Sequence, residues 1–169
     1  GLQVQLKQIQ RDVGITFVYV THDQEEALTM SDRIAVMYNG HIEQCDDPET
    51  VYDRPSTTFV AGFIGVSNLL PATATSGSEV RLDNGTSVPT PDASKFGPNE
   101  KCFAVVRPEK LSVHTTDAVP DNQPSIDGVV ESSLYLGTST QMAVRVADDV
   151  KMTVLVPNAS EAARQNLPG

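Results

Sequence analysis

The sequence is poor in the residues that build several common kinds of binding site. It has no tryptophan, and aromatic side chains make up only 5% of it, which argues against a platform for stacking nucleic-acid bases. Its two cysteines, Cys45 and Cys102, lie far apart and match no metal-binding or redox spacing. We interpret them as reduced, structural thiols of a cytosolic protein.

Basic residues and long apolar runs are also scarce. The chain has 12 Lys and Arg against 22 Asp and Glu, for a formal net charge of -10. Nucleic acids and anionic lipids are bound through clustered basic side chains, so we expect no nucleic-acid partner and no direct docking on a charged membrane. No apolar run approaches the roughly 20 residues of a membrane span, and residues 1–7 lack the layout of a signal peptide.

The most informative segment that is present is the apolar, β-branched run over 15–21. It predicts a buried strand, and His22 follows it directly. The acidic stretch after His22 predicts a short helix over 23–30, in which Asp23 either caps the helix or steadies the loop. Ligands of α/β sheets bind at the carboxyl ends of strands, so a histidine at this position can reach a phosphate.

The elements predicted up to Gly65 alternate between helix and strand, which is typical of an α/β fold. Gly14 is expected to end the first helix, and Asn39-Gly40 is a strong hairpin signal. The predicted helices are 2–12, 23–30, one from the Asp46-Asp47-Pro48 cap to about 52, and 57–64; the predicted strands are 15–21, 33–38 and 42–44.

The character of the chain changes near residues 65–68, where short β-prone runs begin, separated by Gly, Pro, Asn and Ser. Many short strands at this spacing predict a small barrel or sandwich of the OB type. The polar stretch 115–125 is interpreted as a loop, and a helix is expected to start near Ser160. The predicted strands are 69–74, 79–82, 102–106, 112–114, 126–134, 141–146 and 151–156, with hairpins at Asn84-Gly85 and Asp148-Asp149.

Several of these runs together carry a resemblance to a known family. They are 18–28, 31–37, 40–44 and 59–65, with Pro48, Val51-Tyr52 and Pro55 between them. They resemble the ATP-binding subunits of ABC importers, in the group that serves sugars, polyamines and inorganic anions. Residues 15–44 are most similar to the spermidine/putrescine type. The later runs 106–109, 136–137 and 140–141 resemble the TOBE regulatory domain of the same family.

The resemblance implies the fold class α+β. Residues 1–65 are expected to be the C-terminal part of an α/β ABC ATPase nucleotide-binding domain, and residues 66–169 a β-rich, OB-like TOBE domain that is incomplete at its C-terminus. In this family the complete subunit uses ATP and Mg²⁺ and forms a homodimer. It lies on the cytoplasmic face of the membrane through integral-membrane permease subunits, so the same cofactors, partners and location are expected here.

The resemblance assigns a catalytic role to one histidine. His22 matches the family's switch histidine, which contacts the γ-phosphate and helps position the attacking water, a role that suits an imidazole near neutral pH. The alternative is a structural histidine. Glu25 and Glu26 are expected to form a solvated helix face, and neither His41 nor His114 is assigned a role.

A second motif lies in the β-rich part. Arg107-Pro108-Glu109 matches the family's motif in the regulatory domain, and two explanations remain open. One is a structural turn with a local ion pair, and the other is a regulatory role. Neither explanation needs a metal, and the sequence indicates no metal site.

Most of the family's ATP-binding machinery is not in this sequence. There is no Gly-rich loop with Lys-Ser/Thr to hold phosphates, and no acidic strand end before residue 15. We therefore expect the chain alone to bind no cofactor and to hydrolyse no ATP. Exposed apolar surface on the partial ATPase domain would favour a dimer or exchange of elements between chains. The alternative function is a stand-alone TOBE-type module that binds a small oxyanion, or one that only dimerises.

Overall fold

The computed structural model describes residues 2–75, 77–115, 119, 123–147 and 150–158. The chain forms two compact units that divide between Val66 and Ser67. None of the described helices is long and apolar enough to cross a membrane. The predicted helix from Ser160 and the predicted hairpin turn at Asp148-Asp149 lie outside the described residues.

The first unit consists of four helices and a two-stranded antiparallel hairpin among its described residues. Its core holds five buried aliphatic side chains, contributed by the first strand, the last two helices and the residue after them: Ile34, Val36, Val51, Val60 and Ile64. The elements are α1 (Leu2–Val13), α2 (Gln24–Met30), β1 (Ile34–Tyr38), β2 (His41–Asp46), α3 (Pro48–Asp53) and α4 (Thr58–Phe63).

Local signals in the sequence account for the ends of these elements. Gly14 has φ +68° and its amide donates to the Gln10 carbonyl, so it ends α1 as predicted. Asn39 and Gly40 both have positive φ and join β1 to β2, which confirms the predicted hairpin. Asp47 caps α3 by accepting a hydrogen bond from the Thr50 amide.

The segment 15–21 is not the buried strand that its composition predicts. It is irregular, and its side chains are largely exposed, with Val18 at 90% and Val20 at 92%. No described strand pairs with it. An apolar run becomes a buried strand only where neighbouring strands accept its backbone hydrogen bonds, and propensity alone does not supply those neighbours.

The second unit is β-rich, in agreement with the predicted OB-like domain. Its seven described strands form two antiparallel sheets, ordered β5-β4-β3-β6 and β7-β8-β9. The strands are β3 (Asn68–Ala74), β4 (Glu79–Leu82), β5 (Ser87–Pro89), β6 (Lys101–Val106), β7 (Val129–Tyr135), β8 (Ser139–Ala147) and β9 (Val150–Pro157). Short 3-10 helices lie at Pro91–Lys95 and Pro108–Lys110.

One predicted strand of this unit is not formed, and one observed strand is not predicted. Residues 112–114 are irregular, because they follow the 3-10 helix Pro108–Lys110 and no described strand pairs with them. The sequence also misses β5, whose three residues are too few to show an alternating pattern. The hairpin predicted at Asn84-Gly85 is confirmed, since β4 and β5 pair on either side of it.

Candidate functional site

His22 lies in a backbone turn that its neighbours hold through three hydrogen bonds. The Thr21 hydroxyl accepts from the Asp23 amide at 2.9 Å and donates to Glu26 Oε2 at 3.2 Å. Asp23 Oδ1 in turn accepts from the Glu26 amide at 3.0 Å, which confirms Asp23 as the N-cap of α2. The pattern is a capping box in which the Thr21 hydroxyl stands between the cap residue and the glutamate.

Tyr19 adds a fourth hydrogen bond to this turn. Its hydroxyl donates to Glu26 Oε2 at 2.8 Å, and this bond is the main cause that raises the pKa of Tyr19 above its usual value. Through these bonds Glu26 ties Tyr19 and Thr21, two side chains of the segment 15–21, to α2. Of the two acids expected to form a solvated face, Glu25 is exposed whereas Glu26 is half-buried and bonded. The signal for Glu26 was its position three residues after the cap.

Gln24, which follows Asp23, connects the His22 turn to the end of the first unit. Gln24 is the first residue of α2, and its side-chain Oε1 accepts a hydrogen bond from the Gly65 amide at 2.7 Å. Gln24 and Gly65 are separated by 41 positions in the chain. Sequence reasoning missed this contact because nothing local in the sequence marks it.

The His22 turn leaves the imidazole itself exposed, with its backbone fixed. An imidazole held in this way can donate or accept a hydrogen bond toward a phosphate oxygen. The described residues contain no group of three or more His, Cys, Asp or Glu that could hold a metal ion. The residues present therefore fit one contact to a nucleotide phosphate, and the described part of the chain supplies no ligand set for Mg²⁺.

The three residues of the second candidate motif lie in different environments. Arg107, at the end of β6, is 4% exposed, and its guanidinium donates to the Ser67 hydroxyl. Pro108 is buried at the start of a 3-10 helix, while Glu109 is exposed. Arg107 therefore fixes the first residue of the second unit, a structural contact that the motif alone did not reveal.

Asn68 makes a second contact of this kind. Its carboxamide accepts from the Thr153 amide at 2.7 Å and donates to the Thr153 carbonyl at 2.8 Å. Asn68 begins β3 and Thr153 lies in β9, so these two bonds join the two sheets of the unit.

A cavity of about 550 Å³ lies within the second unit. Strands of both sheets supply its aliphatic lining, and exposed residues including His114, Gln123 and Asp127 supply polar groups. His114 Nε2 lies 3.0 Å from the Ser112 hydroxyl. The described lining contains neither Lys nor Arg, so its chemistry does not favour an oxyanion ligand.

Comparisons with known proteins agree with these features. A family model of the TOBE domain matches residues 104–169. The spermidine/putrescine import ATP-binding protein PotA of Thermobifida fusca is 49% identical over 171 residues, covering 96% of this chain and 43% of that relative. The PotA proteins of Pseudomonas aeruginosa (strain UCBPP-PA14) and Acidothermus cellulolyticus are each 44% identical, covering 94% and 100% of this chain. This chain spans 45% of the length of each of those two, and so less than half of each relative.

These matches and the β-rich second unit define the class as ATP-binding subunits of ABC importers that carry a TOBE domain. Within that class, the chain corresponds to the C-terminal, TOBE-containing region of PotA-type ABC ATPases. The resemblance inferred from residues 15–44 and 106–109 is therefore confirmed.

Proposed function

We propose that this chain forms the C-terminal part of the ATP-hydrolysing, energy-coupling subunit of an ABC importer that carries spermidine or putrescine. The observation that supports this most directly is the similarity to PotA relatives over nearly the whole chain. Residues 1–65 then belong to the nucleotide-binding domain and residues 66–169 to the regulatory domain. The chain alone binds no cofactor in this proposal, because it has no phosphate-binding loop.

In this proposal His22 is the residue of the chain that faces the nucleotide. Its exposed imidazole, on a turn fixed by Thr21 and Asp23, supports a role in contacting a terminal phosphate and positioning a water molecule. In the complete subunit ATP would supply the phosphoryl group, and the ligands for Mg²⁺ would have to come from outside the described part of this chain. Positioning and charge stabilisation are what phosphoryl transfer requires of a protein, so a fixed backbone at His22 is functionally meaningful.

The test compares two exposed histidines in the complete subunit. His22→Ala is expected to lower steady-state ATP turnover by about 100-fold or more, because a catalytic hydrogen bond is lost. His41→Ala, in the hairpin of the same unit, is the matched control and is expected to keep wild-type turnover. Phosphate release is the measurement, and an unchanged rate in His22→Ala would refute the catalytic assignment.

The cargo is tested separately. The complete transporter in vesicles is expected to take up labelled spermidine or putrescine in an ATP-dependent way, and to lose this uptake with His22→Ala. Uptake of a sugar or an inorganic anion instead of a polyamine would refute the cargo while leaving the ATPase assignment intact.

The proposed partners follow from the same assignment. The subunit pairs with a second copy of itself and binds integral-membrane permease subunits, which hold it at the cytoplasmic face of the membrane. Arg107, Pro108 and Glu109 belong to the regulatory domain in this proposal, with Arg107 acting through its hold on Ser67. The alternative, a stand-alone oxyanion-binding module, gains no support from the aliphatic cavity.

A further inference from the structure

Gln24 links the His22 turn to the end of the first unit. It follows His22 by two positions, and its side-chain oxygen accepts from the Gly65 amide at 2.7 Å in a partly buried contact. A neutral hydrogen bond of this length is well formed. Because the donor is the backbone amide of Gly65, the bond restrains the position of the main chain at Gly65.

Gly65 lies close to the boundary between the two units. Gly65 has φ +75°, follows the buried Ile64 at the end of α4, and stands two residues before Ser67, where the second unit begins. Ser67 is held within its own unit by the buried Arg107. One residue, Val66, therefore separates a position anchored by Gln24 from a position anchored by Arg107.

Hydrogen bonds also constrain the His22 turn, which precedes Gln24 in the chain. Thr21, Asp23 and Glu26 hold the backbone around His22 through the capping hydrogen bonds. Gln24 is the first helical residue after this cap. Gln24 therefore connects Gly65 to the hydrogen-bonded turn that presents the imidazole of His22.

We propose that Gln24 is a positioning residue for His22: its side chain ties the His22 turn to Gly65 at the end of the first unit. This inference rests on the proposed function of His22. The bond to Gly65 holds Gln24 in place, and with it the first turn of α2 and the backbone that presents the imidazole. The amide oxygen of Gln24 performs this task, so a carboxylate at the same position can perform it and a methyl group cannot.

The test uses the complete subunit and three variants. Gln24→Ala is expected to lower kcat for ATP hydrolysis about fivefold, the effect of one lost hydrogen bond, with KM for ATP unchanged. Gln24→Glu retains an acceptor and is expected to restore most of the rate. Gln8→Ala is the matched control, since Gln8 is exposed on α1 and bonds Asp12 of the same helix.

A double variant shows whether Gln24 acts through His22. If it does, His22→Ala with Gln24→Ala has the same residual rate as His22→Ala alone, because the second change has nothing left to misplace. Independent losses that multiply would overturn the inference. So would a wild-type kcat in Gln24→Ala, or equal losses in Gln24→Ala and Gln24→Glu.

Two further readouts separate this inference from the proposed function. In the chain described above, Gln24→Ala is expected to speed hydrogen exchange at the Gly65 amide at least tenfold without a change in Tm, and unchanged exchange would overturn the contact itself. If His22→Ala leaves ATP turnover intact, the proposed function fails. If His22→Ala abolishes turnover while Gln24→Ala has no effect, only the role of Gln24 fails.

Discussion

Asn68 uses both ends of its carboxamide on one backbone position. It is 5% exposed, and its two bonds to Thr153 connect β3 to β9 across the two sheets. A buried amide with hydrogen-bonded partners contributes modestly to stability. Its removal costs more, because the buried partner groups are then left without a hydrogen bond. Asn68 therefore contributes directly to the joining of the two sheets.

Replacement of Asn68 tests this dependence. Asn68→Ala is expected to lower the free energy of unfolding of the second unit by about 3 kcal/mol, because the N–H and the C=O of Thr153 each lose their hydrogen bond to Asn68. Asn84→Ala is the matched control, because Asn84 lies in an exposed turn and its side chain accepts from the Thr86 amide two residues away. Urea unfolding followed by circular dichroism measures both. Equal stability of the two variants would show that Asn68 does not join the sheets.

The contrast between Asn68 and the helix caps shows what the sequence can predict at this scale. Capping is one of the two roles that the sequence offers for Asp23, and it is recognisable because the donor amide of Glu26 lies three positions away. Asn68 and Thr153 are 85 positions apart, and Gln24 and Gly65 are 41 apart. No local pattern encodes such pairs, so the residues that fix the His22 turn were predictable only in part.

Glu131 connects all three strands of the second sheet. It lies on β7, and its carboxylate bonds Arg145 of β8 at 2.8 Å and Lys151 of β9 at 2.7 Å. The strand pairing shifts register between Val130 and Ser132, which are the residues on either side of it. The hydrogen bonds from Lys151 and then Arg145 hold the pKa of Glu131 below its usual value.

This lowered pKa gives a sign to the pH dependence of stability. A carboxyl group whose pKa is lower in the folded state stabilises the fold above its ordinary pKa of about 4.3, and this stabilisation is lost as the pH falls through the lowered value. Glu131→Gln is therefore expected to lower Tm by at most a few degrees at pH 7, and by nothing at low pH.

The control for this prediction is Glu79→Gln, an exposed carboxylate of β4. It is expected to leave the pH dependence of Tm unchanged. Added salt is expected to narrow the difference between Glu131→Gln and wild type at pH 7, because the cluster is partly exposed and screened. A difference in Tm between Glu131→Gln and wild type that grows as the pH falls would contradict the prediction.

Elements were predictable where a short pattern defines them. The Asn-Gly turns of the two hairpins and the Asp47-Pro48 start of α3 required only neighbouring residues. The segment 15–21 has the composition of a strand, yet it is irregular here because a strand is a property of at least two segments. Propensity indicates that the segment can form a strand, and tertiary contacts decide whether it does.

At the scale of the whole chain, apolar exposure and net charge act in opposite directions. Val18 and Val20 are each at least 90% exposed, and Met37 and Ile42 of the hairpin are each about 60% exposed. Such surface in the first unit favours association. The formal net charge of -10 opposes it through repulsion between copies, and salt screens this repulsion over about 8 Å at physiological ionic strength.

Association of the chain is therefore expected to rise with both protein concentration and salt. Replacing Val18 and Val20 together by Ser is expected to shift the population toward monomer, because the side chains with the largest exposed apolar fraction are removed. Val129→Ser, at an exposed position of β7 in the second unit, is the control. Sedimentation velocity distinguishes the cases: loss of association in Val129→Ser alone would move the contact from the first unit to the edge of the second sheet.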